Sequence, residues 1–290
     1  MFHKIVVASD LSPASDHVIG CLHGLKPLGA KDIILVHALG IRHLDALKYE
    51  LAPLIEPKLQ EQKKVLEDQG FQVMIQIEAG LPAFEINQVA RKIEASIIVV
   101  GSHGVTLSRE ILLGSVATEV IHQSRHPVLV ARLKINDTGD QIRCEQICAD
   151  FYRHILFITD FSETAEHAFD YVEKIVQSGG RHVTLLHVQD RTKIEQHLQD
   201  RLEEFNRIDR IRLERMALRL KDLGATEVGI ELLYGLPKQE IVQHTDNGDY
   251  TLIVMGTQGR GFFGKLFTGS IAYHVARNTA VPALLIPPIR

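Results

Sequence analysis

The amino-acid sequence predicts an α/β fold built as two tandem, doubly wound domains, each with a five-stranded parallel sheet. Three observations carry this. The chain repeats itself at the period of a whole domain. Its short apolar runs are β-branched and apolar on both faces, and amphipathic helix-like stretches alternate with them. Right-handed crossovers between parallel strands then leave few topologies, all of the Rossmann-like, doubly wound kind.

KIVVASD lies over HILFITD, pairing Asp10 with Asp160, and ILVHA lies over LLHV, pairing His37 with His187, both at an offset of 150. From GLPAFEI and GLPKQEI onward the offset is 155, through Gly101 and Gly256, Gly114 and Gly269, Ser115 and Ser270, and Pro127 and Pro282. Five residues are therefore gained between the second and third strands of the second copy, within a charged helical stretch. A period this long is a complete domain and not a solenoid repeat. The expected boundaries are residues 1–133 for the first domain, 134–152 for a linker with the polar turn Asn136, Asp137, Thr138 and Gly139, and 153–290 for the second.

In the first copy the strand IVVA precedes a helix expected over 13–26. IILVHA precedes a helix over about 44–69, stopped by Gly70. FQVMIQIEA alternates apolar and polar, as a strand near an edge does. Pro82 opens a helix over 82–94, a position where its missing N–H costs nothing. SIIVVG then precedes a helix over 115–124, and PVLVAR starts at Pro127, which suits a strand start. The second copy repeats the pattern with ILFIT, VTLLHV, GIELLY, TLIVMG and PALLIP. Its long stretch over about 193–223 reads as an amphipathic cover or contact helix.

Of the 290 residues, 45% are hydrophobic and 23% charged, with a net charge of -4, which excludes disordered and collagen-like chains. The mildly acidic balance argues against nucleic acid or an anionic membrane as partner. The start MFHKIVVASD is too short an apolar run for a signal peptide, and no stretch approaches the roughly 20 apolar residues of a membrane span. A cytoplasmic protein is expected, with Cys21, Cys144 and Cys148 as reduced thiols.

Ligands of open α/β sheets bind beyond the carboxyl ends of the strands, where strand order reverses. Strand one ends in Ala8, Ser9 and Asp10, and in the second copy in Ile158, Thr159 and Asp160. Strand four leads into a repeated spacing of Gly, two residues, Gly, nine residues, Gly, Ser: Gly101, Gly104, Gly114, Ser115, and then Gly256, Gly259, Gly269, Ser270. Glycines admit close approach of an anion, and Gly-Ser at a helix start offers free N–H groups and the positive end of the helix dipole. The pattern reads as a phosphate cradle; the plainer reading is tight turns and a helix cap. Asp10 and Asp160 stand equally as helix-start caps or as carboxylates that accept from a ribose hydroxyl or an adenine amine.

These residues, and G-x2-G-x9-G-S above all, resemble the universal stress protein family. The duplication resembles its tandem members, and the glycines resemble its ATP-binding branch. The resemblance implies an adenine nucleotide alpha hydrolase-like fold binding ATP, with ADP or AMP as alternatives, and Mg2+ or Mn2+ carried with the nucleotide. It implies that Asp10 and Asp160 contact ribose or adenine, that the backbone at Ala38 and Val188 meets the adenine, and that Val100 and Met255 line the base or sugar. The glycines, with Ser115, Val116, Ser270 and Ile271, would hold the phosphates. It also implies an intramolecular pseudo-dimer of the two domains, with their last strands at or near the contact, and a homodimer of chains as a further assembly.

Other motifs carry less. Gly259 to Gly264 matches G-x-G-x-x-G but follows strand four and lacks the acidic residue about 20 positions on. Gly264-Lys265 nearly completes a P-loop, but Leu266 stands where a Ser or Thr must meet magnesium. Arg109, Arg260 and Lys265 are candidates for phosphate contact or plain solvated charges. His122 and His126 read as surface histidines, and His37 and His187 as hydrogen-bonded core histidines. With no activated nucleophile or paired carboxylates in either copy, the expectation is a stress-response regulator that binds nucleotide with little or no turnover. A slow ATP-hydrolysing or nucleotidyl-transferring enzyme and a nucleotide-free scaffold are the alternatives.

Overall fold

The computed structural model describes residues 1–40, 45–102, 113–132, 151–194, 201–259 and 269–289, with backbone alone for 45–52. The chain divides into two units, Met1–Asp150 and Phe151–Arg290. The expected linker falls almost wholly outside the described residues.

The first unit contains β1 (Lys4–Ala8), β2 (Asp32–Ala38), β3 (Gln72–Glu78), β4 (Ile97–Gly101) and β5 (Val128–Ala131), paired in the order β3-β2-β1-β4-β5 and parallel throughout. Its helices are α1 (Pro13–Gly20), α2 (Asp45–Asp68), α3 (Pro82–Lys92) and α4 (Ser115–Gln123). The second unit repeats this with β6 (His154–Ile158), β7 (His182–Asp190), β8 (Glu227–Gly235), β9 (Leu252–Gly256) and β10 (Ala283–Ile286), in the order β8-β7-β6-β9-β10. Its helices are α5 (Glu163–Gln177), α6 (Arg191–Ile194), α7 (Leu202–Asp222), α8 (Pro237–Asn247) and α9 (Ser270–Asn278). The doubly wound α/β fold is thus present twice.

Burial explains the strand sequences. Consecutive residues Ile5, Val6 and Val7 of β1 and Ile97, Ile98 and Val99 of β4 are fully buried, so both faces of the central strands are covered and no alternation survives. In β3 Val73 is buried while Met74 is 70% exposed, which is why that strand alternates. Each side chain fully buried in this way contributes about 1.5–3 kcal/mol.

Two helices differ from expectation. The helix expected over 13–26 ends at Gly20, and a 3-10 turn over Leu22–Leu28 follows. Pro27 has no N–H to give and its ring disfavours the α conformation at Lys26, so the tighter turn replaces the last α-helical turns. The stretch expected over 193–223 is described as α6 and α7, with residues 195–200 outside the description. Fully buried Leu59 and Leu66 of α2 correspond to Leu213 and Leu220 of α7, an offset of 154. Four of the five extra residues therefore precede that buried face, and one lies between Gly224 and Glu227.

At the amino ends of the strands of the second unit, buried His154 donates from Nδ1 to Asp249 (2.6 Å) and accepts at Nε2 from Thr184 (2.9 Å). Its ring stacks on His182 at 3.4 Å and tilts against Tyr250 at 4.5 Å. Burial, outweighing Asp249, pushes its basicity down. Burial likewise lowers half-buried His122 and His126. Among the described residues no helix is long and apolar enough to cross a membrane, and no three His, Cys, Asp or Glu side chains gather as metal ligands. Cys21 is buried and in no disulfide among the described residues, and Cys144 and Cys148 lie outside the description.

Candidate functional site

Strand order reverses between β1 and β4 in the first unit and between β6 and β9 in the second. A crevice opens there because the connections leave in opposite directions. The loop after β1 turns sharply: Leu11 takes φ 64°, and its counterpart Phe161 takes φ 56°. For residues with a Cβ this left-handed backbone costs about 1–2 kcal/mol. Two hydrogen bonds offset it in each unit. Leu11 N–H donates to Ser9 Oγ (3.1 Å) and Ser12 N–H to Asp10 Oδ1 (3.0 Å); Phe161 N–H donates to Thr159 Oγ1 (3.0 Å) and Ser162 N–H to Asp160 Oδ1 (3.1 Å). Each Asp thus closes its own loop, and Ser12 and Ser162 cap the following helices by accepting from Ser15 N–H and Ala165 N–H. The hydroxyl and carboxylate choices in Ser-Asp-x-Ser and Thr-Asp-x-Ser are explained by this turn.

The strand-two histidines do more than fill the core. His37 Nδ1 lies 2.9 Å from Ser9 O, and His187 Nδ1 lies 2.7 Å from Thr159 O. A carbonyl only accepts, so Nδ1 carries the proton in both. Parallel pairing has brought Ser9 N–H to Val36 O and Thr159 N–H to Leu186 O; the next rung would join Ala38 N–H to Ser9 O and Val188 N–H to Thr159 O. The imidazoles occupy those carbonyls instead. Ala38 and Val188 N–H take no acceptor among the described residues and face the side where β1 and β6 have ended.

Beyond β4 the backbone is tethered before the helix starts. Gly114 N–H donates to Ser102 O (2.9 Å) and Gly269 N–H to Thr257 O (2.5 Å). Those two glycine amides, expected among the phosphate donors, are therefore already spent on their own chain. Open donors begin one residue later. Gly114 and Gly269 are N-caps with extended backbone (ψ 154° and 147°) and no side-chain cap. The N–H groups of Ser115, Val116 and Ala117, and of Ser270, Ile271 and Ala272, find no acceptor among the described residues, and both serines are exposed. Each set stands at the positive end of a nine-residue helix.

Two glycines of the second unit have packing reasons. A Cβ on Gly256 would come within 2.9 Å of Thr164 Cγ2 and 3.1 Å of the Thr164 backbone, so α5 approaches β9 only over a glycine. A Cβ on Gly259 would sit 2.5 Å from Asp160 Oδ2, and Ser162 Oγ reaches Gln258 O at 3.5 Å. The strand-one carboxylate and the strand-four loop therefore meet. Ile158, Val100 and Met255 are buried beneath this level, and Ala8, Ala38 and Gly101 are half-buried at the strand ends. Gly104, Arg109, Arg260 and Lys265 lie outside the described residues, as do the fingerprint and P-loop-like runs except for Gly259.

Several residues that sequence reasoning passed over belong to this region. Buried Gln62 of α2 accepts from Ser9 Oγ (2.8 Å) and donates to Asp16 (2.7 Å), tying α2 to the strand-one loop. In the second unit α7 places the Arg212 guanidinium 5.1 Å from the Phe161 ring, which tilts against His187 at 4.6 Å. Asp209 of α7 lies 3.6 Å from His187 Nε2 and accepts from Gln189 (2.9 Å). Arg132, following β5, is buried and pushed down to about 10 by desolvation, which leaves it charged at neutral pH.

Known proteins resemble this chain in sequence and fold. A universal stress protein of Methanocaldococcus jannaschii is 33% identical over 157 residues, 46% of this chain and 97% of that protein. One from Thermus aquaticus is 31% identical over 142 residues, 47% of this chain and 98% of that protein. The crystal structure of a universal stress protein from Archaeoglobus fulgidus superposes with a TM-score of 0.74 at 25% identity, covering 98% of this chain and 96% of that one. Residues 1–132 and 151–287 each match the universal stress protein family, so the chain belongs to that family and carries its domain twice.

Proposed function

We propose that this chain is a nucleotide-binding regulatory protein with one ATP pocket in each unit and little or no turnover, acting in the cytoplasm. The observation that carries this is the same arrangement built twice at the switch point: an acidic loop, a second-strand backbone amide with no acceptor among the described residues, and an uncapped helix start. Three consecutive amides at a helix N-terminus suit a polyanion, and the dipole adds about 0.3–1 kcal/mol per charge at an exposed site. The Ala38 or Val188 amide is a donor suited to a ring nitrogen of the base, and Asp10 or Asp160 an acceptor suited to a sugar hydroxyl.

The residues present therefore fit an adenine nucleotide. Ser115 to Ala117 and Ser270 to Ala272 would hold the phosphates, and Mg2+ or Mn2+ would enter on the phosphates themselves. Backbone amides hold an anion without exchanging protons, so the site is suited to retention and not to rapid hydrolysis. Calorimetric titration of nucleotide-free protein with ATP should show two sites per chain, with phosphate release far below about one per second. No uptake at millimolar ATP would refute the reading.

A further inference from the structure

We propose that in the first unit α2 reports whether the nucleotide pocket is filled, and that buried Gln62 is the positioning residue that connects the two. The inference rests on the nucleotide reading above and adds a readout to it. Gln62 is 2% exposed and uses both ends of its amide. Its Oε1 accepts from Ser9 Oγ–H (2.8 Å), and its Nε2–H donates to Asp16 Oδ1 (2.7 Å). Ser9 Oγ in turn accepts from Leu11 N–H (3.1 Å), while Asp10 Oδ1 accepts from Ser12 N–H (3.0 Å) and Ser15 Oγ–H (2.6 Å). A carboxylate only accepts, so the direction of each bond from Leu11 through Ser9 and Gln62 to Asp16 is fixed. One side chain of α2 thereby closes on both the loop after β1 and the first turn of α1.

The loop that presents Asp10 and the docking of α2 therefore support each other. Leu11 is held at φ 64° by its bond to Ser9, and local opening of α2 takes the acceptor away from the Ser9 hydroxyl. Leaving such a buried group unmet shifts the local equilibrium about tenfold. A nucleotide that binds the closed loop must then favour docked α2 by the same factor, because coupling between two equilibria is reciprocal. The half-exposed ion pair of Lys58 with Asp16 (3.0 Å) adds little, since solvent screens it. At the corresponding place on α7 stands Met216, which has no amide to relay the contact. The relay thus has no counterpart at that position of the second unit.

Hydrogen exchange of the full chain, read by mass spectrometry over residues 53–68, tests this without ATP and with ATP in about hundredfold excess over the Kd of the weaker site. The α2 amides should exchange about tenfold more slowly with ATP bound, the factor set by the coupling. Gln62→Met, which installs the residue of the second unit, should cut that ratio below about twofold while calorimetry still finds ATP binding. Loss of a residue that only packed α2 would instead speed exchange with and without ATP alike and keep the ratio. Gln62→Glu can accept from Ser9 but cannot donate to Asp16 until it is protonated. Its ratio should therefore be small at about pH 8 and recover towards about pH 5, while that of the wild-type chain stays level. Unchanged α2 exchange in a wild-type chain that binds ATP, or a Gln62→Met chain that keeps the tenfold ratio, would overturn the inference and leave nucleotide binding intact. Absence of ATP uptake by the wild-type chain would overturn the nucleotide reading and this inference together.

Discussion

Replacement of Gly259 by alanine separates binding from folding at the second pocket. The new methyl would lie 2.5 Å from Asp160 Oδ2, well inside the distance real carbons tolerate, so the carboxylate must turn away. Turning strains the bond from Ser162 N–H to Oδ1, 3.1 Å long, in a loop already holding Phe161 at φ 56°. A hydrogen bond to a charged acceptor contributes about 1.5–3 kcal/mol when buried, but Asp160 is half-exposed and water replaces part of it, leaving a stability loss of about 0.5–1 kcal/mol. On the proposed nucleotide reading, affinity at the second pocket should fall further, about tenfold, because the carboxylate assigned to the sugar is displaced. Gly114→Ala is the control: its methyl would meet Ser102 O at 3.6 Å, an ordinary contact on backbone at φ −59°, so stability should stay within about 0.5 kcal/mol. Urea denaturation gives the first quantity and ATP titration the second. If Gly259→Ala leaves both sites at parental affinity, or costs no more stability than Gly114→Ala, the reasoning about Asp160 is wrong.

His187→Phe should let Thr159 O take the Val188 amide as the next ladder rung, closing the donor proposed to meet the base; on that reading ATP affinity at the second pocket falls about tenfold, and preference for ATP over GTP narrows. His187→Asn, which can still donate to that carbonyl, should recover part of both. Stability should also depend on pH through His154, whose folded-state basicity is held below the ordinary value of 6.5 by burial. The unfolded chain then binds the proton more readily, so stability is full above about pH 6.5 and lost as pH falls below it. Asp249, itself held down by His154, contributes only lower, where pH approaches its ordinary 3.8. Denaturation midpoints should therefore decline from pH 7.5 to 5.5, and a His154→Asn chain should show a shallower decline.

Much of this protein is written locally. Two-sided burial makes IVVA and SIIVVG continuous apolar runs, one-sided exposure makes FQVMIQ alternate, and prolines and glycines mark helix starts and ends, so the doubly wound fold and its duplication are legible from residue type and spacing. The helix expected through residue 26 stops at Gly20 for a reason equally local, Pro27 having no N–H to give to a continuing α-helix, so that a 3-10 turn over Leu22–Leu28 follows. The site was legible only in outline. The glycine spacing and the two aspartates mark where the chain approaches the switch point. Nothing in that spacing shows that Asp10 is engaged by Ser15 or that Gln62 ties α2 to Ser9.

The order of strands and helices, the repeat, and the positions of the acidic loop and helix starts follow from the sequence by itself, because they depend on backbone preferences and on burial shared by neighbouring residues. Which hydrogen-bonding groups are open was decided only in three dimensions. The Gly114 and Gly269 amides are consumed by carbonyls across the loop, while those of Ala38 and Val188 are released because an imidazole from the adjacent residue captures a carbonyl 28 positions away. Donors and acceptors compete by distance in space, and that competition leaves no mark in the order of residues.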